Sequence, residues 1–545
     1  MKTLSNFAII FSFFSAFLLS VSWASTNHTS HQAFVQCLES HSNPTNPISA
    51  VLYSPYNPSY SSVLQDYFRN LRFNKSTIPK PRLILTALHV SHIQAAIICA
   101  KAHRMQMKIR SGGHDYEGIS YWSKNPNFFI LDMFNFRSIN VSIEDETASV
   151  EVGAATGELA YRIAEKSRTH AFPPGVCPSV GVGGFITGGG YGNLMRKYGL
   201  SIDNVIDAQI IDVNGRLLDR KSMGEDLFWA INGGGGSSFG VLLSYKIKLV
   251  RVPNNVTVFT AIRTTHDESF TSFTDLVYRY QEVAHKLPKE LFIRLILDVV
   301  NGTKTNKGTV NGTKTNRGTF LAMFLGNSQD LMSVMNKHFS ELALRQTELK
   351  EMRWIESILY WYWTDLATPV DALLHTLPRG SNCFKRKSDY LKRPIPKQGL
   401  EYIFKKMVEL ESVVNLTFNP YGGRMAEISP SEKPFPHRAG NIFKLQYATN
   451  WKDPGEEAAH LSSTRKLHDY MTPYVSMAPR EAFLNYRDLD IGINHNGRNS
   501  YLEGAVYGVK YFKDNFNRLV KIKTKVDPDN FFRNEQSIPV LPWKK

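Results

Sequence analysis

Glycine is concentrated in three short segments of the N-terminal half, and these segments restrict the fold more than any other feature of the sequence. They read RSGGHDYEG at 110–118, PGVCPSVGVGGFITGGGYG at 174–192 and INGGGGSSFGV at 231–241. Because glycine permits positive φ angles and the close approach of another surface, such segments form tight turns against a neighbouring backbone or a ligand. A fourth segment, NYRDLDIG at 485–492, has a related character with less glycine.

Between about Leu83 and Val250, short apolar strands alternate with helical segments. LILTAL and NFFILDM are typical of strands, whereas SHIQAAIICAKAHR and GELAYRIAEK have helical periodicity. Hairpins are predicted for VSIEDETASVEVGA and for VIDAQIIDVNGRLLD, which carries Asn214-Gly215 at its turn. Strands and helices joined by glycine-rich turns indicate an α+β fold.

A second region, from about Thr257 to Tyr470, alternates longer helices such as KQGLEYIFKKMVELESVV with strands such as NIFKLQYATNW. Inside it, NGTKTNKGT from Asn301 is followed by NGTKTNRGT from Asn311, and we expect this tandem duplication to lengthen a polar loop. Near the C-terminus, YFKDNFNRLVKIKTKVDPDNFF predicts a helix followed by a turn. The 545 residues exceed what one hydrophobic core holds, so we expect at least two domains.

The N-terminus has the features of a secretory signal peptide. Lys2 precedes the apolar run FAIIFSFFSAFLLSV, and the small residues Ser22 and Ala24 offer a cleavage site. No later segment has a continuous apolar run long enough to cross a membrane, so we expect the mature protein to be soluble. Seven N-glycosylation sequons fit a route through the endoplasmic reticulum to the cell exterior or the vacuole, and they begin at Asn27, Asn74, Asn140, Asn255, Asn301, Asn311 and Asn415.

The formal charge of +16 and the isoelectric point of about 9.4 raise the question of nucleic acid or membrane partners. The basic residues are scattered, and neither a zinc-finger spacing nor a dense basic block occurs. We therefore favour a basic extracellular protein and expect no nucleic acid partner, no membrane partner and no metal.

Four cysteines divide into a pair and two remaining thiols. In a secreted chain, Cys37 and Cys99 form the most plausible disulfide. Cys177 and Cys383 are then left over. A free thiol in an oxidising compartment needs burial or a bond to a group other than cysteine.

The glycine-rich segments also indicate a nucleotide cofactor. They do not match a phosphate-binding P-loop, since no Gly-Lys-Ser/Thr follows, and they fit the dinucleotide fingerprint poorly. Backbone N–H groups in glycine-rich turns nevertheless suit a pyrophosphate held by the main chain. Each segment alone could be a set of tight turns, but three together favour a bound nucleotide.

Six motifs resemble those of the berberine bridge enzyme family of plant flavoproteins, which belong to the vanillyl-alcohol oxidase type of FAD-binding proteins. They are RSGGHDYEG, PGVCPSVGVGG, MGEDLFWAINGGGGSSFGV, PFPHRAG, NYRDLD and DPDNFFRNEQSIP. The resemblance runs from about Gln32 to Pro542. Within the family, the chain is more similar to cannabinoid synthases and monolignol oxidoreductases than to berberine bridge enzyme itself.

This resemblance implies the domain organisation. After a signal peptide at 1–24, we expect a two-subdomain FAD-binding domain of the PCMH type at 25–254. A substrate-binding α/β domain, with an antiparallel sheet covered by helices, would occupy 255–475. The last segment, 476–545, would return to the FAD domain. We expect a monomer.

The resemblance also implies FAD attached at two points. In the family, the histidine at the place of His114 bonds to the ring methyl group of the flavin, and the cysteine at the place of Cys177 bonds to a neighbouring ring carbon. Otherwise His114 would be a turn histidine and Cys177 an inert buried thiol. Two tethers would raise the flavin potential and leave room for a bulky substrate. Further expected cofactor contacts are Arg110, Ser111, Gly112, Gly113, Asp115, Val180, Gly181, Gly183, Gly184, Gly188, Gly189, Gly240, Val241 and Asn485.

A catalytic tetrad is implied in the same way. Berberine bridge enzyme is expected to place a glutamate base where this chain has Gln446, and a glutamine cannot accept the proton. Lys444, Gln446, Tyr191 and Tyr486 instead match the tetrad of monolignol oxidoreductases, and Tyr486 also matches the catalytic tyrosine of cannabinoid synthases. Because free tyrosine has a pKa of about 10, its phenolate must be stabilised. We expect Tyr486 to act as base, Lys444 as its charge partner, and Gln446 and Tyr191 as orienting groups. A solvated Lys444 and a Tyr191 that only packs against the glycine turn are the alternatives.

Val180 bears on the electron acceptor. In the family, valine at this place is associated with oxidases because it leaves dioxygen access to the reduced flavin, whereas leucine tends to block it. Simple core packing is the alternative. We expect an oxidase that uses dioxygen and releases hydrogen peroxide.

The leading functional hypothesis is a secreted FAD-dependent oxidase of plant specialised metabolism. Its substrate would be a small phenolic, prenylated or not, or an allylic or benzylic alcohol, and its product would be dehydrogenated or cyclised. A second hypothesis is an FAD-bound pericyclase that performs an intermolecular Diels–Alder cycloaddition without net redox, with Arg294 recognising a phenolate unless it lies on the surface. A carbohydrate or monolignol oxidase, and an allergen-like carbohydrate-binding protein with a vestigial flavin, are further alternatives. The sequence does not identify the substrate.

Overall fold

A computed structural model describes residues 31–265, 272–305, 308–363, 365–375, 382–497 and 500–542. Its strands form three larger sheets and one two-stranded pair, with helices packed against them, which confirms the predicted α+β class. The predicted signal peptide and Asn27 lie outside the described residues. No helix in the described ranges is both long enough and apolar enough to cross a membrane.

The first sheet has the order β1-β2-β4-β3, with β2, β4 and β3 parallel and β1 antiparallel. The continuous apolar runs of β2 and β4 are typical of parallel strands covered on both faces. The predicted Cys37–Cys99 disulfide is confirmed and joins α1 to α3. The elements are α1 (31–41), β1 (Leu52–Tyr53), α2 (Tyr60–Gln65), β2 (Ile84–Thr86), α3 (Val90–Ala102), β3 (Gln106–Arg110) and β4 (Phe128–Asp132).

The second sheet is antiparallel, with the order β5-β6-β10-β8-β9, and β7 pairs separately with β11. Both predicted hairpins are present in it, and Gly215 has a φ of 75° at the turn between β8 and β9. The elements are β5 (Ile139–Ser142), β6 (Thr147–Glu151), α4 (Thr156–Lys166), β7 (His170–Ala171), α5 (Val182–Thr187), α6 (Met195–Tyr198), β8 (Val205–Ile211), β9 (Leu217–Leu218), α7 (Arg220–Ile231), β10 (Val241–Lys248) and β11 (Val250–Arg251).

A seven-stranded antiparallel sheet, with the order β15-β12-β14-β13-β17-β18-β16, forms the third unit. Side chains of α8, α11 and α13 share a buried apolar core with its strands. The elements are β12 (Val256–Thr264), α8 (Phe273–Val283), β13 (Leu291–Thr305), β14 (Gly308–Phe324), α9 (Ser328–His338), β15 (Leu349–Met352), α10 (Trp354–Trp361), β16 (Cys383–Leu391), α11 (Lys397–Glu409), β17 (Asn415–Pro420), α12 (Arg424–Glu427), β18 (Phe443–Trp451) and α13 (Glu457–Tyr470).

The last two helices are α14 (Ser500–Phe512) and α15 (Asn515–Val526). Their side chains Tyr507, Phe516 and Leu519 are buried in the same core as the glycine-rich region. The predicted helix from 511 was only partly right, because Phe512 ends α14 and Lys513 has a φ of 48° before α15 begins. The domain boundaries given above remain predictions.

The expectation of a lengthened polar loop at the tandem duplication was wrong. The first copy folds back on itself where β13 and β14 meet, with Thr303 opposite Val310 and Thr305 opposite Gly308. The second copy lies in β14 and pairs with residues 296–301 of β13. Threonine favours extended backbone. The first copy therefore contributes to both strands and the second copy lies in β14, so the duplication extends a hairpin instead of opening a loop.

Candidate active site

A cavity of about 750 Å³ lies where the glycine-rich segments meet the seven-stranded sheet and the chain around Tyr486. This volume is typical of sites for cofactors and small molecules. Three parts of the chain line it: the turns around His114, Cys177 and Gly240, the strands β13, β16 and β18, and residues 483–487.

His114 and Cys177 face the same part of this cavity. His114 follows β3, and Cys177 lies in the loop before α5. The hydroxyl of Ser179 lies 3.1 Å from Nε2 of His114 and 3.6 Å from Sγ of Cys177. The imidazole and the thiol predicted to hold the flavin are thus both within reach of a single hydroxyl.

The contact between Gly112 and Gly181 explains why the two turns can lie so close. A Cβ atom at Gly112 would overlap the backbone of Gly181, and a Cβ at Gly181 would overlap Gly112 and the hydroxyl of Ser111. Gly113 has a φ of 64°, which side chains rarely tolerate. Glycine at these positions therefore brings His114 and Cys177 to one wall.

Most of the predicted cofactor residues line the cavity, and three do not. Those that line it, besides the two anchors, are Ser111, Gly112, Gly113, Asp115, Val180, Gly181, Gly183, Gly184, Gly188, Gly240 and Asn485. Arg110 instead points away: its guanidinium pairs with Asp132 and donates to the carbonyls of Val63 and Leu64 at 2.9 and 3.1 Å. Gly189 and Val241 sit one residue beyond the lining residues Gly188 and Gly240. None of these three residues is among those that line the cavity, and their contact with the cofactor remains a prediction.

The four residues of the predicted tetrad lie close together. The hydroxyls of Tyr191 and Tyr486 are hydrogen-bonded to each other. Nζ of Lys444 lies 2.8 Å from the ring centre of Tyr191 and 4.9 Å from that of Tyr486. Gln446 lies on the same face of β18 as Lys444. Its side chain donates a hydrogen bond to the hydroxyl of Tyr116, whose ring stacks on that of Tyr486. Lys444 is buried and Tyr191 is hydrogen-bonded to Tyr486, which excludes a solvated Lys444 and a Tyr191 that only packs against the glycine turn. The catalytic roles remain predictions.

Lys444 was expected to be the charge partner of Tyr486, and the structure places a second basic residue, Arg294, near the two phenols. Burial, together with the neighbouring phenols of Tyr191 and Tyr116, raises the pKa of Tyr486 well above its usual value, and Arg294 opposes this. Burial and the positive charge of Arg294 hold the pKa of Lys444 well below its usual value. Arg294 thus lowers the pKa of Tyr486, and Nζ of Lys444 lies over the rings of Tyr191, Phe483 and Tyr486.

Arg294 does not lie on the surface, which corrects one alternative above. Its residue is only 8% exposed, and it lines the cavity from β13. Nε donates to the Asn419 side chain at 2.7 Å, and Nη2 lies 3.5 Å from the hydroxyl of Tyr191. The guanidinium also lies over the Trp361 ring, 5.2 Å from its centre. A permanent cation thus faces the phenol pair.

Sequence reasoning missed Tyr116, Phe384 and Arg386. The Tyr116 hydroxyl accepts a hydrogen bond from Gln446 at 3.0 Å, and its ring stacks on Tyr486 with centres 5.4 Å apart. Phe384 and Arg386 line the cavity from alternate positions of β16. The position of Tyr116, two residues after His114, could have identified it, whereas nothing in the KRKSD pattern of β16 separates cavity residues from others.

The remaining predicted sites are placed as follows. Asn74, Asn140, Asn255 and Asn301 are exposed and Asn415 is half-buried, while the side chain of Asn311 lies outside the described part of the structure. Cys383 is a buried free thiol whose pKa is raised, chiefly by burial. Glycosylation of these sequons remains a prediction.

Comparison with known proteins gives consistent matches along the chain. A sequence model described as "FAD binding domain" matches residues 81–220, and one described as "Berberine and berberine like" matches residues 482–539. Berberine bridge enzyme-like 8 of Arabidopsis thaliana is 55% identical over 538 residues, which cover 98% of this chain and 99% of that protein.

Solved structures share the whole fold. Phl p 4, a grass pollen allergen with glucose dehydrogenase activity, has a TM-score of 0.86 and 41% identity over 94% of this chain and 100% of its own. A Phl p 4 variant with valine in place of an isoleucine, described as a glucose oxidase, has a TM-score of 0.85 and 41% identity over 93% and 99%. Berberine bridge enzyme from Eschscholzia californica has a TM-score of 0.85 and 33% identity over 94% and 100%.

The FAD-domain match extends over the first two glycine-rich segments, and the close glycine contacts and the cavity of about 750 Å³ that they line fit a bound dinucleotide cofactor. The structural neighbours also share the seven-stranded sheet, since the alignments cover nearly all of this chain. The chain belongs to the berberine bridge enzyme-like family of FAD-dependent oxidoreductases, as its sequence motifs predicted.

Proposed function

We propose that this protein is a secreted FAD-dependent oxidase of plant specialised metabolism. It would remove a hydride from an allylic or benzylic carbon of a phenolic or an alcohol and pass the electrons to dioxygen. The observation that carries the proposal is the hydrogen-bonded pair of Tyr191 and Tyr486, buried beside the Arg294 guanidinium and open to the cavity of the FAD-binding turns.

FAD would be held covalently by His114 and Cys177. The shared proximity of both side chains to Ser179 supports this, because both anchors then approach one edge of the same bound group. When bound, FAD supplies the hydride acceptor and transfers two electrons to dioxygen, which becomes hydrogen peroxide. Covalent attachment would let the cavity stay open to a substrate without loss of the cofactor.

The phenol pair would take the proton that the substrate loses. An alcohol that gives up its hydroxyl proton, while the carbon bearing that hydroxyl gives up hydride, becomes a carbonyl compound. A phenol that gives up its hydroxyl proton, while a conjugated benzylic carbon gives up hydride, becomes a quinone methide, so the charges balance in both reactions. Tyr486 would accept that proton, and the hydroxyl of Tyr191 would donate a hydrogen bond to the Tyr486 oxygen. Arg294 favours the charged form of Tyr486 against the effect of burial. Such a positioned base typically contributes about 10²–10⁴-fold to the rate.

Dioxygen as the electron acceptor is supported by Val180, which lines the cavity three residues after Cys177. The family resemblance associates valine at this place with oxidases. Replacement of an isoleucine by valine also accompanies the glucose oxidase description of the Phl p 4 variant. We therefore assign the oxidase reaction instead of a dehydrogenase reaction.

Oxidation of a carbohydrate is the second candidate. It is favoured by the likeness to Phl p 4, which is described as having glucose dehydrogenase activity. The same residues would serve, because a sugar hydroxyl and its carbon lose a proton and a hydride in the same way.

One experiment separates these candidates. The purified protein is incubated with prenylated phenols, monolignols, and mono- and oligosaccharides, and peroxide and product mass are measured together. We expect peroxide and a product lighter by two hydrogens with a phenol or an allylic alcohol. A sugar as the only oxidised compound would establish the second candidate. A product of unchanged mass, or the sum of two reactants, without peroxide would contradict the oxidase and establish a cyclase or a cycloaddition.

Secretion, to the cell wall or the vacuole, is part of the proposal. The Cys37–Cys99 disulfide and the exposure of Asn74, Asn140, Asn255 and Asn301 support an oxidising route with glycan addition. N-terminal sequencing of protein from plant tissue should begin near residue 25, and endoglycosidase should lower its mass. An intact N-terminus at Met1 on an unglycosylated chain would contradict this route.

A further inference from the structure

Strand β16 has two different faces in its first half, one half-buried and one buried. Phe384 and Arg386 point into the cavity. Lys385 and Lys387, at the alternate positions, point to the opposite side and are only 2% and 3% exposed. A strand that buries two lysines needs partners for both charges, since an uncompensated buried charge is costly.

The partners of Lys385 come from two separate parts of the chain. Its Nζ forms ion pairs with Glu117 and with Asp488, the latter at 2.7 Å, and it lies 3.4 Å from Asp490. Lys387 contacts only the second part, through Asp488 at 2.5 Å and Asp490 at 3.1 Å. Lys385 is therefore the lysine that bridges the two segments.

Both segments carry residues of the site. Glu117 follows Tyr116 directly and lies three residues after His114, while Asp488 lies two residues after Tyr486. The rings of Tyr116 and Tyr486 stack at 5.4 Å with an interplanar angle of 26°. A displacement of either carboxylate by an ångström would move its neighbouring tyrosine by a similar amount, because one or two residues of backbone leave little slack.

Stability alone does not account for this arrangement. A buried cluster of ion pairs contributes little net free energy relative to apolar residues of the same size, although removal of one partner is costly. The cluster instead fixes the relative position of Glu117 and Asp488, because Lys385 binds both carboxylates at once.

We propose that Lys385 is a positioning residue that fixes the loop carrying His114 and Tyr116 relative to the segment carrying Tyr486. Lys387 holds only the Tyr486 segment. The geometric claim is independent of the substrate, whereas its effect on turnover rests on the proposed role of Tyr486.

Amide hydrogen exchange of the holoenzyme tests this directly. We expect Lys385→Met to speed amide exchange by about tenfold or more in two peptides, one covering 111–118 and one covering 484–492. Lys387→Met should do so only in 484–492. Arg263→Met is the matched control: Arg263 lies on β12 of the same sheet and forms a buried ion pair with Glu348, and its loss should leave both peptides unchanged. Lys385→Arg keeps the charge and should restore protection.

Uniformly faster exchange along the whole chain in Lys385→Met, or exchange unchanged in 111–118, would overturn the proposal. If Lys385→Met does not fold, Glu117→Gln tests the same bridge and should speed exchange in 111–118 alone. No change there would also overturn the proposal. As a second readout, Lys385→Met should slow flavin reduction by the best substrate about tenfold or more, with KM changed less than about threefold. Failure of Tyr486 as a base would leave the exchange results intact, so the two proposals fail separately.

Discussion

The hydroxyls of Tyr191 and Tyr486 are hydrogen-bonded to each other across 295 residues of sequence. Tyr191 comes from the second glycine-rich segment and Tyr486 from the chain that leads to the C-terminal helices. Only one of the two oxygens can carry a negative charge at a time, because two adjacent phenolates would repel each other. We therefore expect the pair to act as one base, with Arg294 favouring its charged form.

Removal of the Tyr486 hydroxyl tests the base. We expect Tyr486→Phe to lower the rate of flavin reduction by about a hundredfold or more, because the proton of the substrate then has no acceptor. Tyr191→Phe should lower the rate of flavin reduction by a smaller factor, because it removes only the hydrogen bond to the Tyr486 oxygen. Stopped-flow absorbance under anaerobic conditions measures both rates. A larger loss in Tyr191→Phe than in Tyr486→Phe would assign the base to Tyr191.

The pH dependence should depend on Arg294. The base works in its deprotonated form, and burial raises the pKa of Tyr486, so the rate should rise towards alkaline pH. Arg294 lowers that pKa, so Arg294→Met should move the midpoint of the profile to higher pH by about one unit or more. Lys444→Met is the matched comparison and should move it less. An equal or larger shift in Lys444→Met would restore Lys444 as the charge partner.

The parts of the fold set by local pattern could be predicted from sequence. The hairpin at Asn214-Gly215 depends on turn chemistry, and α3 and α4 depend on helical periodicity, so neighbouring residues suffice to specify them. The prediction of a loop at the tandem duplication was wrong because its polar, glycine-containing residues are as compatible with a strand end as with a loop. The choice between them depends on pairing of residues 303–305 with residues 308–310, and of the second copy with residues 296–301 of β13.

The site was predictable only where a motif marked it. His114 and Cys177 stand in distinctive glycine-rich contexts, and the tetrad followed from the family resemblance. The buried lysines of β16 could not be predicted, because KRKSD reads as a solvated strand until Glu117 and Asp488 are brought beside it. For the same reason, the sequence alone did not place the Arg294 guanidinium beside the hydroxyl of Tyr191.

Close packing of the two anchor turns predicts the effect of a single methyl group. Gly181→Ala would place Cβ against Gly112 and Ser111. We therefore expect the variant to bind less flavin, and its free energy of unfolding to fall by about 1–3 kcal/mol. Gly497→Ala, where a Cβ meets no atom within 4 Å, is the control and should keep both. Flavin absorbance per chain and chemical denaturation provide the measurements. Full flavin content in Gly181→Ala would contradict the packing argument.

Val180→Leu should separate reduction from reoxidation. The larger side chain would fill the part of the cavity through which dioxygen reaches the flavin, so reoxidation should slow by at least about tenfold. Flavin reduction by substrate should stay near the original rate, and an artificial electron acceptor should restore turnover. Unchanged reoxidation by dioxygen would reduce Val180 to a packing residue.

The most direct test of the central claim is the intact mass of the acid-denatured, deglycosylated protein. We predict a yellow polypeptide heavier than the bare chain by one FAD, with the mass increase retained in His114→Ala and in Cys177→Ala but lost in the double variant. A colourless precipitate with the mass of the polypeptide alone would contradict the account.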